Sequence, residues 1–122
     1  MGVFTYPIEV AASPEGPFEP LDAYVDSGAI YTQVPASMLR RMGAQVIDTA
    51  TFVTADGRRT ESDIGEIVIR IDGRVRRTIC VFGEEETPPL LGAYALEAFL
   101  LGVDPVNARL IPIEGLRLRR SV

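Results

Sequence analysis

The sequence predicts a mostly β fold, a small closed or folded barrel with one or two short helices. Three observations support this: short runs rich in β-branched residues, turn dipeptides such as Asp72-Gly73 between the runs, and only two segments with helical spacing. The chain has 122 residues, 47% of them hydrophobic, which is enough for one core but not for two. We therefore expect a single domain over residues 1–122.

The first half of the chain is predicted to contain three strands and a short helix. Pro7 removes a backbone donor, which places the first strand at a sheet edge or a bulge. Pro35 suits the first turn of a helix, and Gly43 suits its C-terminal cap. The predicted strands are Val3–Val10, Leu21–Val25 and Ile30–Val34, and the helix runs from Pro35 to Met42.

The second half is predicted to begin with two hairpins. Ala55-Asp56-Gly57-Arg58 and Asp72-Gly73 are turn signals flanked by β-branched runs. After the first turn, Ile67, Ile69 and Ile71 share one face of a strand. The three predicted strands are Val46–Thr54, Ile64–Ile71 and Val75–Val81.

The last part of the chain is predicted to form a helix and two strands. Apolar residues recur there at helical spacing, and we expect a core-facing helix closed by Gly102. Its stripe consists of Leu96, Phe99, Leu100 and Val103. The two terminal strands are predicted at about Ala108–Ile113 and Leu116–Arg120.

The composition excludes several kinds of site. The chain has no histidine and one cysteine, Cys80, so Ser–His and Cys–His nucleophilic pairs and zinc sites with several His or Cys ligands are excluded. The formal net charge is −5 and no basic, aromatic-interleaved stripe occurs, which argues against nucleic acid binding. Leu90–Val103 is short for a membrane span, and the N-terminus has no signal-peptide pattern. We expect a cytoplasmic protein without metal or cofactor, whose acid–base groups are carboxylates.

Three other features have plain structural interpretations. Arg74, Arg76 and Arg77 suit a solvated strand face. Glu84-Glu85-Glu86 suits a solvated loop, because it lacks an ordered spacing of oxygen ligands. Cys80 suits a buried or edge-strand thiol rather than a nucleophile, because no basic partner is identifiable.

Asp26 is the best-placed carboxylate, at the end of an apolar strand in the run Val25-Asp26-Ser27-Gly28-Ala29. Gly28 lets the backbone turn tightly and approach its surroundings closely. Taken alone, the Asp-Ser-Gly tripeptide favours an Asx-turn at a strand end. One carboxylate hydrolyses a peptide poorly, whereas two about 3 Å apart share one proton and act as base and acid. If Asp26 is catalytic, the chain forms a twofold dimer whose axis passes between two copies of it.

This run resembles the catalytic motif of the retropepsin-like (retroviral-type) aspartic proteases. The expected companions follow in order: a helix start at Val34-Pro35, a hairpin turn near Asp56-Gly57, and Leu90-Leu91-Gly92 ahead of a helix. The similarity covers Thr5 to about Pro112 and looks closest to the small stand-alone prokaryotic relatives.

The resemblance implies a homodimeric aspartic endopeptidase that acts on peptides or proteins. Asp26 would be the catalytic aspartate, the Ser27 hydroxyl would hydrogen-bond across the dimer axis, and Gly28 would contribute backbone to the substrate cleft. The hairpin Thr54–Arg59 would be a flap closing over an extended peptide. The substrate-binding residues implied in this way are Ala29, Thr54, Ala55, Asp56, Gly57, Arg58 and Leu91.

The chain departs from the family pattern in two places. Where viral relatives commonly have an Asp after the catalytic run and an Arg after the apolar-apolar-Gly element, this chain has Ile30 and Ala93. The flap turn has Gly57 alone and carries Asp56 and Arg58 at its tip.

Two other interpretations stay open: a catalytically silent β-module of the same fold that binds a peptide or a partner protein, and a structural dimer in which the Asp turn caps a strand.

Overall fold

The computed structural model describes residues 4–117, which form nine strands and two short helices. The prediction of a mostly β fold is confirmed. In chain order the elements are β1 (Thr5–Ala11), β2 (Glu19–Val25), β3 (Thr32–Pro35), α1 (Ala36–Met42), β4 (Val46–Val53), β5 (Arg59–Ile71), β6 (Arg74–Gly83), β7 (Leu90–Leu91), α2 (Ala93–Ala98), β8 (Leu101–Asp104) and β9 (Arg109–Pro112).

Seven of the strands form one sheet in the order β1-β2-β7-β3-β6-β5-β4, and β8 and β9 form a separate antiparallel pair. Within the larger sheet, β2 runs parallel to β7 and β3 runs parallel to β6. The sheet folds back on itself, because residues 9–11 of β1 also pair with residues 68–70 of β5. The parallel pairing of β2 with β7 places the residue that follows β2 beside the residues that follow β7.

Alternation along the strands turns one face of each strand towards the core. Ile67, Ile69 and Ile71 of β5 are at most 1% exposed, as their shared face predicts, and Val68 on the opposite face is buried as well. On β2, Ala23 and Val25 are buried while the residues that flank Ala23 are not. Burying an aliphatic side chain of this size contributes about 1.5–3 kcal/mol of transfer free energy. This burial therefore stabilises the end of β2, directly before Asp26.

The first helix, α1, ends as predicted at Gly43, whose φ of 89° is left-handed. At the other end of α1, the Glu85 carboxylate accepts hydrogen bonds from the N–H (3.0 Å) and the hydroxyl of Ser37. These bonds lower the pKa of Glu85. The acidic loop after β6 is exposed, as predicted, but it is tied to α1.

The prediction of a helix that continues to Val103 is wrong, because α2 ends at Ala98. Leu100 has a φ of 54°, a left-handed conformation that no helix can continue through. Leu100 is also 46% exposed, so it does not belong to the core stripe in which it was expected. Val103 instead packs against the core from β8, together with Leu101. The stripe residues are spaced as in a helix, but the last of them, Val103, belongs to strand β8.

Two arginines of β6 satisfy carbonyl groups at the end of α2. Arg74 Nη2 donates to the Phe99 carbonyl at 2.8 Å, and Arg76 Nε donates to the Ala98 carbonyl at 3.2 Å. The last carbonyls of a helix lack partners within it, and cations near them are stabilising. Both arginines are exposed on β6, as the predicted solvated face requires, and they also hold the end of α2.

The observed strands agree with the predicted ones at Pro7 and differ from them at the start of β5 and near the C-terminus. At Pro7, β1 pairs only with β2 among the described residues, because its pairing with β5 covers residues 9–11. The predicted edge position of Pro7 is therefore confirmed. β5 begins at Arg59, well before the predicted start at Ile64, because its polar first residues pair with β4. No strand is present at Leu116 and Arg117, and the rest of the strand predicted for residues 116–120 lies outside the described residues.

Neither of the two helices described is long and apolar enough to cross a membrane.

Candidate active site

Asp26 follows the last residue of β2, where Val25 pairs with Leu91 of the parallel strand β7. Its N–H donates to the Leu91 carbonyl oxygen at 3.0 Å. Its carboxylate oxygen Oδ1 accepts the Gly28 N–H at 3.0 Å, and its carbonyl accepts the Ala29 N–H at 3.2 Å. This is the Asx-turn that the tripeptide predicts. The turn leaves the Asp26 side chain partly exposed.

The loop after Asp26 is also joined to the start of α2. The Ala93 N–H donates to the Ala29 carbonyl at 2.8 Å, and the Tyr94 N–H donates to the Ile30 carbonyl at 2.9 Å. The first N–H groups of a helix have no acceptors within it, so the loop supplies the missing partners. Backbone hydrogen bonds thus join the segment that contains Ile30 to the segment that contains Ala93.

Gly92 lies so close to this loop that no side chain fits. A Cβ at this position would be 2.5 Å from the carbonyl carbon of Tyr31 and 2.6 Å from its oxygen. The Gly92 N–H donates to Oγ1 of Thr32 at 3.2 Å, and the Thr32 side chain is fully buried. Close approach of two backbones requires a glycine here. Gly92, directly after β7, therefore restricts the position of the loop that follows Asp26.

The β4–β5 hairpin ends in a tight turn after the pair Val53 and Arg59. The Thr54 N–H donates to the Arg58 carbonyl and the Gly57 N–H to the Thr54 carbonyl, both at 2.8 Å. Gly57 has a φ of 85°, a conformation that favours glycine. The Asp56 carboxylate accepts the Thr54 hydroxyl and, at 3.3 Å, the Arg58 N–H. These contacts, the hydroxyl first, lower the pKa of Asp56.

A groove of about 790 Å³ lies between the Asp26 loop and this hairpin. The loop contributes Asp26, Gly28 and Ala29 to its lining, and the hairpin turn contributes Thr54, Ala55 and Arg58. Much of the remaining lining is apolar and comes from Ile30, Tyr31, Phe52, Val53, Val81, Phe82 and Leu90. The groove therefore places the Asp26 carboxylate beside apolar side chains.

Four residues predicted for the site do not line the groove. Ser27 is exposed beside Asp26, and Asp56 and Gly57 are exposed at the tip of the hairpin. The Leu91 side chain is fully buried, so its contribution to the site is the carbonyl that holds Asp26.

Sequence reasoning missed several groove residues, among them Tyr31, Phe82 and Glu84. Phe82 is brought to the groove by the parallel pairing of β3 with β6, in which it lies opposite Val34. No local signal predicts such a pairing between distant segments. Phe52 could have been found, since it lies only two residues before the predicted flap.

The described residues contain no group of three or more His, Cys, Asp or Glu side chains that could hold a metal ion. Cys80 is fully buried on β6, and burial raises the pKa of its thiol to about 12. A thiol held in this form is a poor nucleophile. The interpretation of Cys80 as a buried thiol is therefore confirmed.

No protein-family model matches the chain, and no curated protein matches it either. Solved structures do match. The simian foamy virus (mac) protease has 23% sequence identity and a TM-score of 0.53, over 75% of this chain and 92% of that chain. The EIAV protease complexed with the inhibitor HBY-793 has 16% identity and a TM-score of 0.58, over 88% of this chain and 90% of that chain.

A third match is Lpg0085 from Legionella pneumophila, a protein with unknown function. It has 18% identity and a TM-score of 0.54, over 90% of this chain and 94% of that chain. The likenesses to the two viral proteases show that the chain has a retropepsin-like fold. A fold can carry different functions, so activity must be argued from the site.

Proposed function

We propose that this chain is a single-domain aspartic endopeptidase that works as a homodimer, with Asp26 of each copy forming the catalytic pair. One observation carries the proposal: the partly exposed Asp26 carboxylate lines the same groove as the turn of the β4–β5 hairpin. A carboxylate opposite a hairpin turn suits the hydrolysis of a peptide held between them.

In this proposal, a second copy of the chain supplies the second catalytic carboxyl. Two carboxyls about 3 Å apart cannot both ionise, so one acts as base and the other as acid. Among the described residues that line the groove, the other carboxylate is Glu84, on the loop after β6. We assign the second carboxyl to Asp26 of the partner copy, because a twofold axis beside this loop brings identical groups together.

In the proposed reaction, the ionised Asp26 takes a proton from a water molecule as the water oxygen attacks the scissile carbonyl carbon. The protonated Asp26 gives its proton to the carbonyl oxygen. As the C–N bond of the resulting diol breaks, one carboxyl delivers a proton to the leaving nitrogen, and the other carboxylate takes a proton from a diol hydroxyl, which gives the carboxylic acid product. All four proton transfers use the carboxyl pair, which returns to its starting state without a covalent enzyme intermediate. Ser27 and Gly28 would hold the pair through the hydroxyl and the backbone.

The substrate would be a peptide in extended conformation. Such a chain can add to a neighbouring strand through main-chain hydrogen bonds, with alternate side chains in pockets. The apolar lining from Phe52, Val81, Phe82 and Leu90 suits apolar side chains near the cleaved bond. The hairpin turn, with Thr54, Ala55 and Arg58 in the lining, would close over the peptide as a flap.

Asp26→Asn tests this proposal. The variant should lose at least about 10²–10⁴-fold in peptide cleavage, the size of a general acid–base contribution, while it remains folded and dimeric. Glu84→Gln is the matched control, because it neutralises the other groove carboxylate and should leave the cleavage rate largely unchanged. Activity retained in Asp26→Asn, or lost in Glu84→Gln alone, would remove the assignment.

Mixed dimers test the sharing of the pair. Wild-type chain and Asp26→Asn chain are unfolded together, refolded in known ratios and assayed at one total concentration. If each active site needs two intact Asp26 side chains, activity should fall with the square of the wild-type fraction. A linear fall would mean that each chain works alone. If neither protein cleaves but both bind the same peptide, the chain is a binding module.

A further inference from the structure

Tyr31 connects the loop after Asp26 to the β4–β5 hairpin through ring contacts. Its ring centroid lies 6.2 Å from that of Phe52 at an interplanar angle of 82°, and 5.8 Å from that of Tyr94 at 61°. Both are edge-to-face arrangements, in which the positive edge of one ring meets the negative face of another. Phe52, Tyr31 and Tyr94 thus form an aromatic row from β4 across the loop to α2.

The backbone of Tyr31, whose ring is the middle one of this aromatic row, is tightly packed. The Tyr31 backbone abuts Gly92 so closely that a Cβ there would be 2.5 Å away, and the next residue, Thr32, is fully buried. Phe52 belongs instead to β4, the last strand of the sheet, which pairs with β5 alone within residues 4–117. The body of the protein therefore fixes the position of Tyr31, whereas the position of Phe52 can change with the hairpin.

We propose that Tyr31 is a positioning residue that sets the closed position of the flap over Asp26. Tyr31 and Phe52 both line the groove, so their contact fixes the distance between its two walls at that point. A hairpin that rests on a ring contact can open to admit a peptide and return to the same place. The inference rests on the proposed function only in treating the hairpin as a flap.

Hydrogen exchange of the hairpin amides tests this role in Tyr31→Leu and Tyr31→Phe. The leucine variant loses the ring, and exchange at residues 50–60 should become about two- to tenfold faster, the effect of losing aromatic contacts of ordinary strength. Amides of β1 and β6 should keep their protection. The phenylalanine variant keeps the ring and should behave as the wild type. Tyr24→Leu is the matched control, because Tyr24 is 41% exposed on β2, away from the groove.

Kinetics give a second readout in the active protein. Tyr31→Leu should raise KM more than it lowers kcat, because the ring acts on peptide capture and not on the carboxyl pair. Three results would overturn the proposal: unchanged hairpin exchange in Tyr31→Leu, an equal change in Tyr31→Phe, or an equal rise across the whole sheet. An inactive wild type that shows the expected exchange pattern would overturn the proposed function and leave the role of Tyr31 intact.

Discussion

The two walls of the groove are held in place by different kinds of contact. The Asp26 wall is fixed by backbone: the Leu91 carbonyl accepts its N–H, and Gly92 packs against the loop without room for a side chain. The flap wall is an exposed hairpin whose tip is closed by the Asp56 carboxylate and two backbone hydrogen bonds. The Asp26 wall packs against buried residues, whereas the outer face of the hairpin is exposed to solvent.

This difference matches what each wall would have to do. A catalytic carboxylate acts best when it is already in place, because a fixed group needs no reorganisation during the reaction. A flap must move to admit a chain, so it is drawn from the less stable parts of a protein. The variants below change residues of one wall together with a matched residue of the other wall or of another part of the protein, and they start with the largest expected effect.

Gly92→Ala and Gly57→Ala compare one glycine from each wall. The alanine at position 92 would meet the Tyr31 backbone, which cannot rotate away, so we expect a loss of about 3 kcal/mol in the free energy of unfolding. At position 57 there is nothing within 4 Å of the new Cβ, and only the left-handed φ is unfavourable. That should cost about 1 kcal/mol.

Denaturant unfolding of the two variants measures both values. Gly73→Ala, with a φ of 82° and nothing within 4 Å in the other hairpin, is the control for the backbone effect alone. If Gly92→Ala proves no more destabilising than Gly57→Ala, the Asp26 wall is less rigid than its packing indicates.

A second pair compares two buried threonines. Thr32 Oγ1 accepts the buried Gly92 N–H, so Thr32→Val leaves that donor without a partner and should cost about 1–2 kcal/mol of stability. Thr78 Oγ1 is buried and, among the described residues, has no hydrogen-bond partner. Thr78→Val should therefore be neutral or stabilising. Thermal unfolding would contradict the comparison if the two variants lost equal stability.

Local signals in the sequence were enough to predict much of the fold. The cap at Gly43, the turn at Asp72-Gly73 and the shared face of Ile67, Ile69 and Ile71 each depend on residues close together in the chain. The end of α2 could not be predicted in this way. A spacing of four suits a helix, and the capping arginines come from a distant strand.

The candidate site divides in a similar way. Asp26 and the hairpin turn could be found because each has a short motif and the resemblance joins them. Tyr31 and Phe82 also line the groove, but their meeting depends on which strands pair. The family pattern gave no sign of this lining either, since it describes the motifs and not the side chains between them.

The smallest expected effect concerns the tip of the flap and its dependence on pH. The contacts from Thr54 and Arg58 lower the pKa of Asp56 in the folded protein, so they favour its ionised form. A group whose pKa is lowered on folding contributes stability above its unfolded pKa, about 4 for an aspartate, and loses it as pH falls through the folded pKa. The tip should therefore be best ordered near neutral pH and loosen in acid.

The amide shift of Gly57, followed by NMR from pH 7 downwards, should report the change. Asp56→Asn should abolish that dependence, whereas Asp104→Asn, at a carboxylate in the β8–β9 turn, should not. A Gly57 shift that titrates equally in Asp56→Asn would mean that another group controls the tip.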